Sequence, residues 1–159
     1  MATTDAGTLW LYKELIGFDT IPDELTVNTY AKVMLCCANG DGHLAPAERA
    51  WVIGFVSAFN VSEALLEELA AYPANEDVYA LAMSRPAIRH NLRSVLYDTI
   101  QVCCADGDYH AEERALIRRL AARFDIADDV VTQLEEVYTE TRRIRQKRLE
   151  LTFVQGAPY

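Results

Sequence analysis

The sequence predicts an all-α fold, a compact bundle of about seven or eight helices built from two similar halves. Three observations predict it. Apolar residues recur at helical spacing through most of the chain, runs of alternating β-branched residues bounded by turn signals are absent, and an ungapped repeat joins the two halves. With 159 residues, 51% of them hydrophobic, the chain is long enough to bury a core and too apolar to be disordered.

Residues that typically start helices divide the apolar pattern into separate predicted helices. Pro22, Pro46 and Pro86 stand where prolines open helices, and Ser62 precedes an apolar run as an N-cap. The predicted helices span residues 8–18, 22–38, 46–59, 62–71, 75–83, 86–104, 110–123 and 127–151. We expect residues 1–152 to form one domain, with repeat halves at about 25–72 and 90–138 and a flexible tail at 153–159.

The internal repeat is the most informative feature of the chain. Residues 41–50, Asp-Gly-His-Leu-Ala-Pro-Ala-Glu-Arg-Ala, align on residues 106–115, Asp-Gly-Asp-Tyr-His-Ala-Glu-Glu-Arg-Ala, at an offset of 65. Each copy is an Asp-Gly turn directly after one helix, with a Glu in the first turn of the next. Gly42 and Gly107 are expected to supply the positive φ that ends the preceding helix.

The four carboxylates of these turns are Asp41, Glu48, Asp106 and Glu113. In one interpretation the glutamates cap helices by reaching back to exposed backbone donors, and the aspartates are ordinary turn formers. In the other, the carboxylates bind a divalent metal ion. An EF-hand is disfavoured because its first ligand position falls on Cys37 in one copy and Val102 in the other. If the turns meet, the carboxylates repel unless protonated or bridged by a cation.

Three more polar side chains lie in the same turns: His43, Asp108 and His110. Histidine with carboxylate suits zinc, manganese or iron better than calcium. The candidate metal ligands are therefore Asp41, Glu48, Asp106, Glu113, His43, Asp108 and His110. Motifs for nucleophilic catalysis or phosphate binding are absent from the sequence, so no catalytic residue and no organic cofactor is predicted.

A family resemblance rests on the two turn motifs. A Cys- and Ala-rich helix runs into Ala-Asn-Gly-Asp-Gly-His-Leu-Ala-Pro-Ala-Glu at residues 38–48, and a second helix runs into Ala-Asp-Gly-Asp-Tyr-His-Ala-Glu-Glu at 105–113. This pattern resembles the tellurite-resistance TerB-like domain over roughly residues 25–140. One departure matters: the capping Ser often found three residues before the Glu is Ala45 in the first copy and His110 in the second.

The resemblance implies an all-helical bundle with two similar halves and an acidic metal-binding or interaction surface at Asp41, Glu48, Asp106 and Glu113. It also implies a role in tellurite and stress resistance, membrane-bound partners and no established enzymatic activity. We therefore expect a non-enzymatic, metal-binding or adaptor protein. The first alternative is a small metal-dependent hydrolase that uses the paired Asp and Glu side chains.

The second alternative is a thiol protein that handles tellurite or soft metals through its cysteine pairs, Cys36-Cys37 and Cys103-Cys104. The simpler interpretation is that these are small apolar residues within helices. Neighbouring helical residues diverge by about 100°, so at most one cysteine of each pair is expected squarely on a core face. Trp51, Phe55 and Phe59 share one face of a helix and are expected to be core.

The charge distribution bears on partners and location. The chain has 15 basic and 24 acidic residues, a net charge of −9, which argues against nucleic-acid binding. Five of the bases lie at 142–148, which suits the end of a solvated helix or contact with an acidic partner or anionic membrane. No transmembrane segment or signal peptide is predicted, so we expect a cytoplasmic protein. The family resemblance implies a protein partner that is itself membrane-associated.

Overall fold

The computed structural model describes residues 3–107 and 109–157 of the chain. Those residues contain nine α-helices and no β-strand, which confirms the predicted all-α class. The helices are α1 (Thr3–Ile16), α2 (Glu24–Ala38), α3 (Pro46–Ser57), α4 (Glu63–Ala71), α5 (Val78–Ser84), α6 (Pro86–Arg89), α7 (Leu92–Cys103), α8 (Ala111–Arg123) and α9 (Asp128–Thr152). A 3₁₀ turn, Asn39–Asp41, follows α2. None of the helices so described is long and apolar enough to cross a membrane.

The prediction of one continuous helix over 86–104 is wrong, because the helix is interrupted between Arg89, where α6 ends, and Leu92, where α7 begins. Asn91 leaves the helical region at φ −129° and ψ 38°. Its side-chain amide donates to the carbonyl of Ala87 at 2.8 Å, and its own carbonyl accepts from the amide of Ser94 at 3.0 Å. Asparagine thus caps one helix and starts the next, as its short polar side chain allows.

The first and last helices also differ from their predicted bounds. Helix α1 begins before residue 8 and ends at Ile16 instead of 18, since Gly17 takes a left-handed φ of +86°. Helix α9 ends at Thr152, so the chain is non-helical from Phe153, close to the predicted start of the tail.

Helices α2 and α7 form the centre of the bundle and pack against each other. Both are buried along most of their length: Val33, Met34 and Leu35 are completely buried on α2, as are Val95 and Leu96 on α7. A helix that is apolar on several faces is buried by neighbours on several sides. Helices α3, α4 and α5 cover α2, whereas α8 and α9 cover α7.

All four cysteines are buried, and this corrects the expectation that only one of each pair would face the core. Their exposed fractions are 4% for Cys36, 1% for Cys37, 0% for Cys103 and 7% for Cys104. The first pair lies on α2 and the second at the C-terminal end of α7, and both central helices have neighbours on more than one side. Burial raises the pKa of each thiol, to about 12 for Cys37, and this disfavours a reactive thiolate.

The two Asp-Gly turns have the predicted backbone geometry. Gly42 and Gly107 have φ values of +88° and +105°, in the left-handed region. The neighbouring Gly40 serves a different purpose: a Cβ atom there would collide with the side chain of Leu116 on α8. The first turn therefore approaches the helix that follows the second turn. A twofold relation between whole halves stays a prediction.

Replacing Gly42 or Gly107 by alanine is expected to lower the free energy of unfolding by about 1 kcal/mol, because an L side chain is strained at these φ values. Urea denaturation measures the change. Gly54→Ala is the matched control, since Gly54 lies within α3 with nothing near an added Cβ atom. That variant should gain up to about 1 kcal/mol from helix propensity. Equal effects at all three positions would contradict the role of the turns.

Candidate metal centre

Side chains from both turn regions converge on one point. A carboxylate oxygen of Glu48, the Sγ atom of Cys103 and a carboxylate oxygen of Glu113 all lie within 4.8 Å of one another. Glu48 lies in the first turn of α3, Cys103 ends α7, and Glu113 lies in the first turn of α8. Glu48 is only 4% exposed, Cys103 is fully buried and Glu113 is partly buried. The two Asp-Gly turns therefore meet in space through their glutamates.

Both glutamates also cap the helices to which they belong. An Oε2 atom of Glu48 accepts from the amide of Ala45 at 2.6 Å, and Oε2 of Glu113 accepts from the amide of His110 at 2.7 Å. Neither N-cap residue caps its helix with its own side chain. The two interpretations of these glutamates therefore apply to the same residues, since a carboxylate with two oxygens has acceptor sites beyond one capping bond.

The site concentrates negative charge away from solvent. Burial raises the pKa of Glu48 to about 7, and the charges of Glu113, Asp41 and Asp106 add to this effect, whereas the bond from Ala45 opposes it. Burial likewise raises the pKa of Glu113. Within the described part of the chain, neither glutamate forms an ion pair with a lysine, arginine or histidine. Two facing carboxylates thus lack an ion-pair partner there, although the charge of His110 lowers the pKa of Glu113.

The other predicted ligands stand outside this group of three. The Oδ1 atom of Asp41 accepts from the backbone amide of His43 at 2.8 Å, as in an Asx turn. Asp41 and Asp106 act on Glu48 through their charges. His43 and His110 are exposed, and neither joins the group that the described residues form. The remaining candidate, Asp108, lies outside the described residues.

Sequence reasoning did not include Cys103 with the carboxylate ligands and considered it only in the alternative of a thiol protein that handles soft metals through its cysteine pairs. A signal for it was present, since Cys103 lies three residues before Asp106, at the end of the helix that runs into the second turn. When the cysteine pairs are aligned, Cys36 corresponds to Cys103; it is also buried, but it is not part of the group. The register of the two helices slips by two residues between the copies, so the alignment did not single out one cysteine.

The donor set of two carboxylates and one thiol suits a small borderline cation. Zn²⁺ binds Cys sulfur and carboxylate oxygen at about 2.0–2.3 Å, so tetrahedral ligand atoms stand roughly 3.5 Å apart. Atoms already within 4.8 Å reach that spacing through small side-chain movements. Ca²⁺ prefers six to eight oxygen ligands and fits this set poorly. Thiolate ligation requires deprotonation of Cys103, whose pKa is raised by burial and by the neighbouring glutamates.

Comparison with known proteins shows what the chain is similar to over its whole length. The family model described as "Tellurite resistance protein TerB" matches residues 30–136, which include both turns and all three converging side chains. Among solved structures, a tellurite resistance protein from Nostoc punctiforme is similar, with 34% sequence identity and a TM-score of 0.94. The similarity covers 100% of both chains. No curated protein matches the sequence.

Proposed function

The chain belongs to the TerB family of tellurite resistance proteins, and we propose that it is a non-enzymatic metal-binding member that holds one divalent ion, preferentially Zn²⁺, between Glu48, Cys103 and Glu113. The observation that carries the proposal is the pair of glutamates that lie close together beside a buried thiol, with no ion pair to either glutamate in the described part of the chain. A cation offsets their repulsion.

The burial of the group supports a structural or regulatory ion over a catalytic one. Three protein ligands leave the fourth position of a tetrahedral zinc to water, so the distinction depends on whether a substrate can reach that position. Cys103 is 0% exposed and Glu48 is 4% exposed, which leaves little room for a substrate beside them. The group joins the ends of α3, α7 and α8, so a bound ion would fix these three helices together. Metal ions then stabilise the folded state by mass action.

Calorimetric titration of the EDTA-treated chain with Zn²⁺, Mn²⁺ and Ca²⁺ tests the proposal. We expect one equivalent of Zn²⁺ to bind, more tightly than the other two ions. Glu48→Gln and Cys103→Ser should each weaken Zn²⁺ binding at least 10-fold, as loss of one ligand requires. The matched control is Glu112→Gln, because Glu112 lies exposed in the same first turn of α8 as Glu113. The Glu112→Gln variant should bind Zn²⁺ as tightly as the unchanged chain does.

Co²⁺ substitution provides a second readout that does not depend on stability. A sulfur-to-cobalt charge-transfer band is expected for the unchanged chain and is expected to vanish in Cys103→Ser. The proposal is wrong if no ion binds, or if Glu48→Gln and Cys103→Ser bind Zn²⁺ as tightly as Glu112→Gln does. A loss of affinity on replacing His43 and His110 alone would place the ion in the exposed turns and would also overturn this ligand set.

The exposed end of α9 supports a second role, as an adaptor. Every residue from Thr139 to Ala157 is exposed, whereas the first half of α9 is anchored to α8. Two oxygens of Glu135 accept from Arg118 at 3.0 Å each in that first half. A stretch of helix without packing of its own is only marginally stable. We therefore propose that a partner packs on this end of α9.

The pattern of exposed residues indicates the type of partner. Val137, Ile144 and Leu151 are 53%, 59% and 70% exposed and recur every seven residues, as in a helix–helix seam. The bases at 142–148 flank this stripe. The partner that fits is a protein helix with an apolar stripe and acidic flanks.

An acidic amphipathic peptide, with Leu at the heptad a and d positions and Glu at e and g, is a direct probe of this surface. Fluorescence anisotropy should show binding that weakens with added salt and falls at least 10-fold in Ile144→Asp. The control is Val154→Asp, which changes a residue that is 84% exposed outside the helix and should bind normally. Binding to phosphatidylserine vesicles but not to the peptide would reject a protein partner.

A further inference from the structure

A second feature of the molecule lies apart from the metal-binding residues. A cavity of about 450 Å³ opens between α1, the segment that follows it, and helices α2, α3 and α7. Its volume lies within the range of about 300–1,000 Å³ that is usual for small-molecule sites. Five aromatic side chains line it: Tyr12, Phe18, Tyr30, Phe55 and Phe59. None of the residues that line the cavity belongs to the metal group.

Four of these rings, those of Phe18, Tyr12, Phe59 and Phe55, contact one another in sequence and form one wall of the cavity. The ring centroids of Tyr12 and Phe59 lie 5.3 Å apart and meet edge to face, as do those of Phe55 and Phe59 at 5.1 Å. Phe18, which is 59% exposed, lies 6.4 Å from Tyr12. The predicted core role of Phe55 and Phe59 therefore describes only part of what they do, since both remain partly buried and face the cavity.

One carboxylate shares this aromatic cavity. Asp98 is 7% exposed and lines the cavity from α7. Its Oδ2 atom accepts from the hydroxyl of Tyr30 at 2.7 Å, and its Oδ1 atom accepts from the side-chain amide of Gln101 at 2.8 Å. These two neutral donors leave further lone pairs on the carboxylate.

No basic side chain in the described part of the chain forms an ion pair with Asp98. The polar groups near it are neutral: Tyr12 from α1, Tyr30 from α2, and Ser94 and Gln101 from α7. Burial raises the pKa of Asp98 to about 6, so the carboxyl is mostly ionised at neutral pH. A buried charge of this kind is costly without a counter-charge.

We propose that this cavity binds an organic ammonium ion, with the cationic group beside Asp98 and its apolar body against the aromatic rings. Aromatic faces attract quaternary and primary ammonium groups, and this attraction strengthens when water is excluded. The carboxylate supplies the opposite charge, which disfavours anions. The ligand class is therefore defined by two requirements, a positive charge beside Asp98 and an apolar body against the rings.

Two probes, choline and benzyltrimethylammonium, test the proposal by calorimetry and ligand-detected NMR. Both are permanent cations, so their own charge does not change with pH. The neutral isostere of choline, 3,3-dimethylbutan-1-ol, separates charge from shape. We expect at least one cation to bind, and the neutral alcohol to bind at least 10-fold more weakly than choline does. Affinity should fall as pH drops below about 6, when Asp98 becomes protonated.

Variants identify the residues responsible. Asp98→Asn should weaken cation binding at least 10-fold, and Phe59→Leu should weaken it while keeping an apolar side chain. Asp129→Asn is the matched control, since Asp129 is exposed on α9 away from the cavity. If Asp98→Asn does not fold, Phe59→Leu and the neutral isostere decide the question. Binding by neither cation, or equal binding of choline and the alcohol, would overturn the proposal and leave the metal site unaffected.

Discussion

Replacing Leu96 by alanine is expected to lower the free energy of unfolding by about 3–4 kcal/mol and the melting temperature by roughly 10 °C. Leu96 is completely buried in α7, and it packs in the cluster that also contains Ile88, Ile100 and Ile117. Removing its branched end loses burial energy and leaves a cavity that the central helix cannot close. Urea denaturation and thermal unfolding measure the two quantities.

The control for this prediction is Leu25→Ala. Leu25 lies on α2 but is 58% exposed, so its truncation should change the free energy of unfolding by less than about 1 kcal/mol. Similar losses at both positions would contradict the central place of α7 in the core. Helix α7 also carries Asp98 and Cys103, which belong to the two proposed sites. The packing of Leu96 therefore holds residues of both sites in place.

The helical class and the turn geometry were predictable because they depend on local rules. Apolar periodicity predicted the helices, and the Asp-Gly spacing predicted the left-handed φ of Gly42 and Gly107. The break at Asn91 was missed because the apolar pattern continues across it, whereas the end of α6 depends on one hydrogen bond from the side-chain amide of Asn91 to the carbonyl of Ala87. Periodicity reports which residues are buried and does not report a one-residue interruption.

The candidate site was predicted in part, for a related reason. Spacing placed Glu48 and Glu113 in equivalent positions, and these two meet in the structure. The sequence places Cys103 next to the second turn, but whether its thiol reaches Glu48 and Glu113 depends on how α7 packs against α3 and α8, and so it was not included with the carboxylates. The histidines were included because of their residue type, but their place in exposed turns keeps them out of the group formed by the described residues.

Replacing Glu48 by glutamine is expected to raise the free energy of unfolding of the metal-free protein by about 2 kcal/mol at pH 8, with no change near pH 4. Its folded pKa of about 7 stands above the ordinary value of 4.5. Each pKa unit corresponds to about 1.4 kcal/mol of unfolding free energy. Solvent screening reduces the effect of this shift to about 2 kcal/mol. Glutamine has no charge to bury, and its carbonyl still accepts the bond from the amide of Ala45.

The sign of the pH dependence follows from proton binding. Between pH 4.5 and 7 the folded state holds a proton on Glu48 that the unfolded state has released, so stability falls as pH rises through this window and levels off above it. Glu113 acts in the same direction, and Asp98 does so from its ordinary value of 3.8 up to about 6. The difference in free energy of unfolding between the unchanged chain and Glu48→Gln, measured at each pH, gives the part of the pH dependence that is due to Glu48.

Unfolding curves from pH 4 to pH 8, measured in EDTA and again with saturating Zn²⁺, complete this experiment. In EDTA the variant should be the more stable protein at pH 8, and Glu112→Gln should behave as the unchanged chain does. Saturating Zn²⁺ should reverse the order, because the ion stabilises the ionised glutamate that costs stability without it. A variant that is less stable than the unchanged chain in EDTA at pH 8 would contradict the prediction, because it would show that the ionised Glu48 carboxylate stabilises the metal-free fold despite its burial.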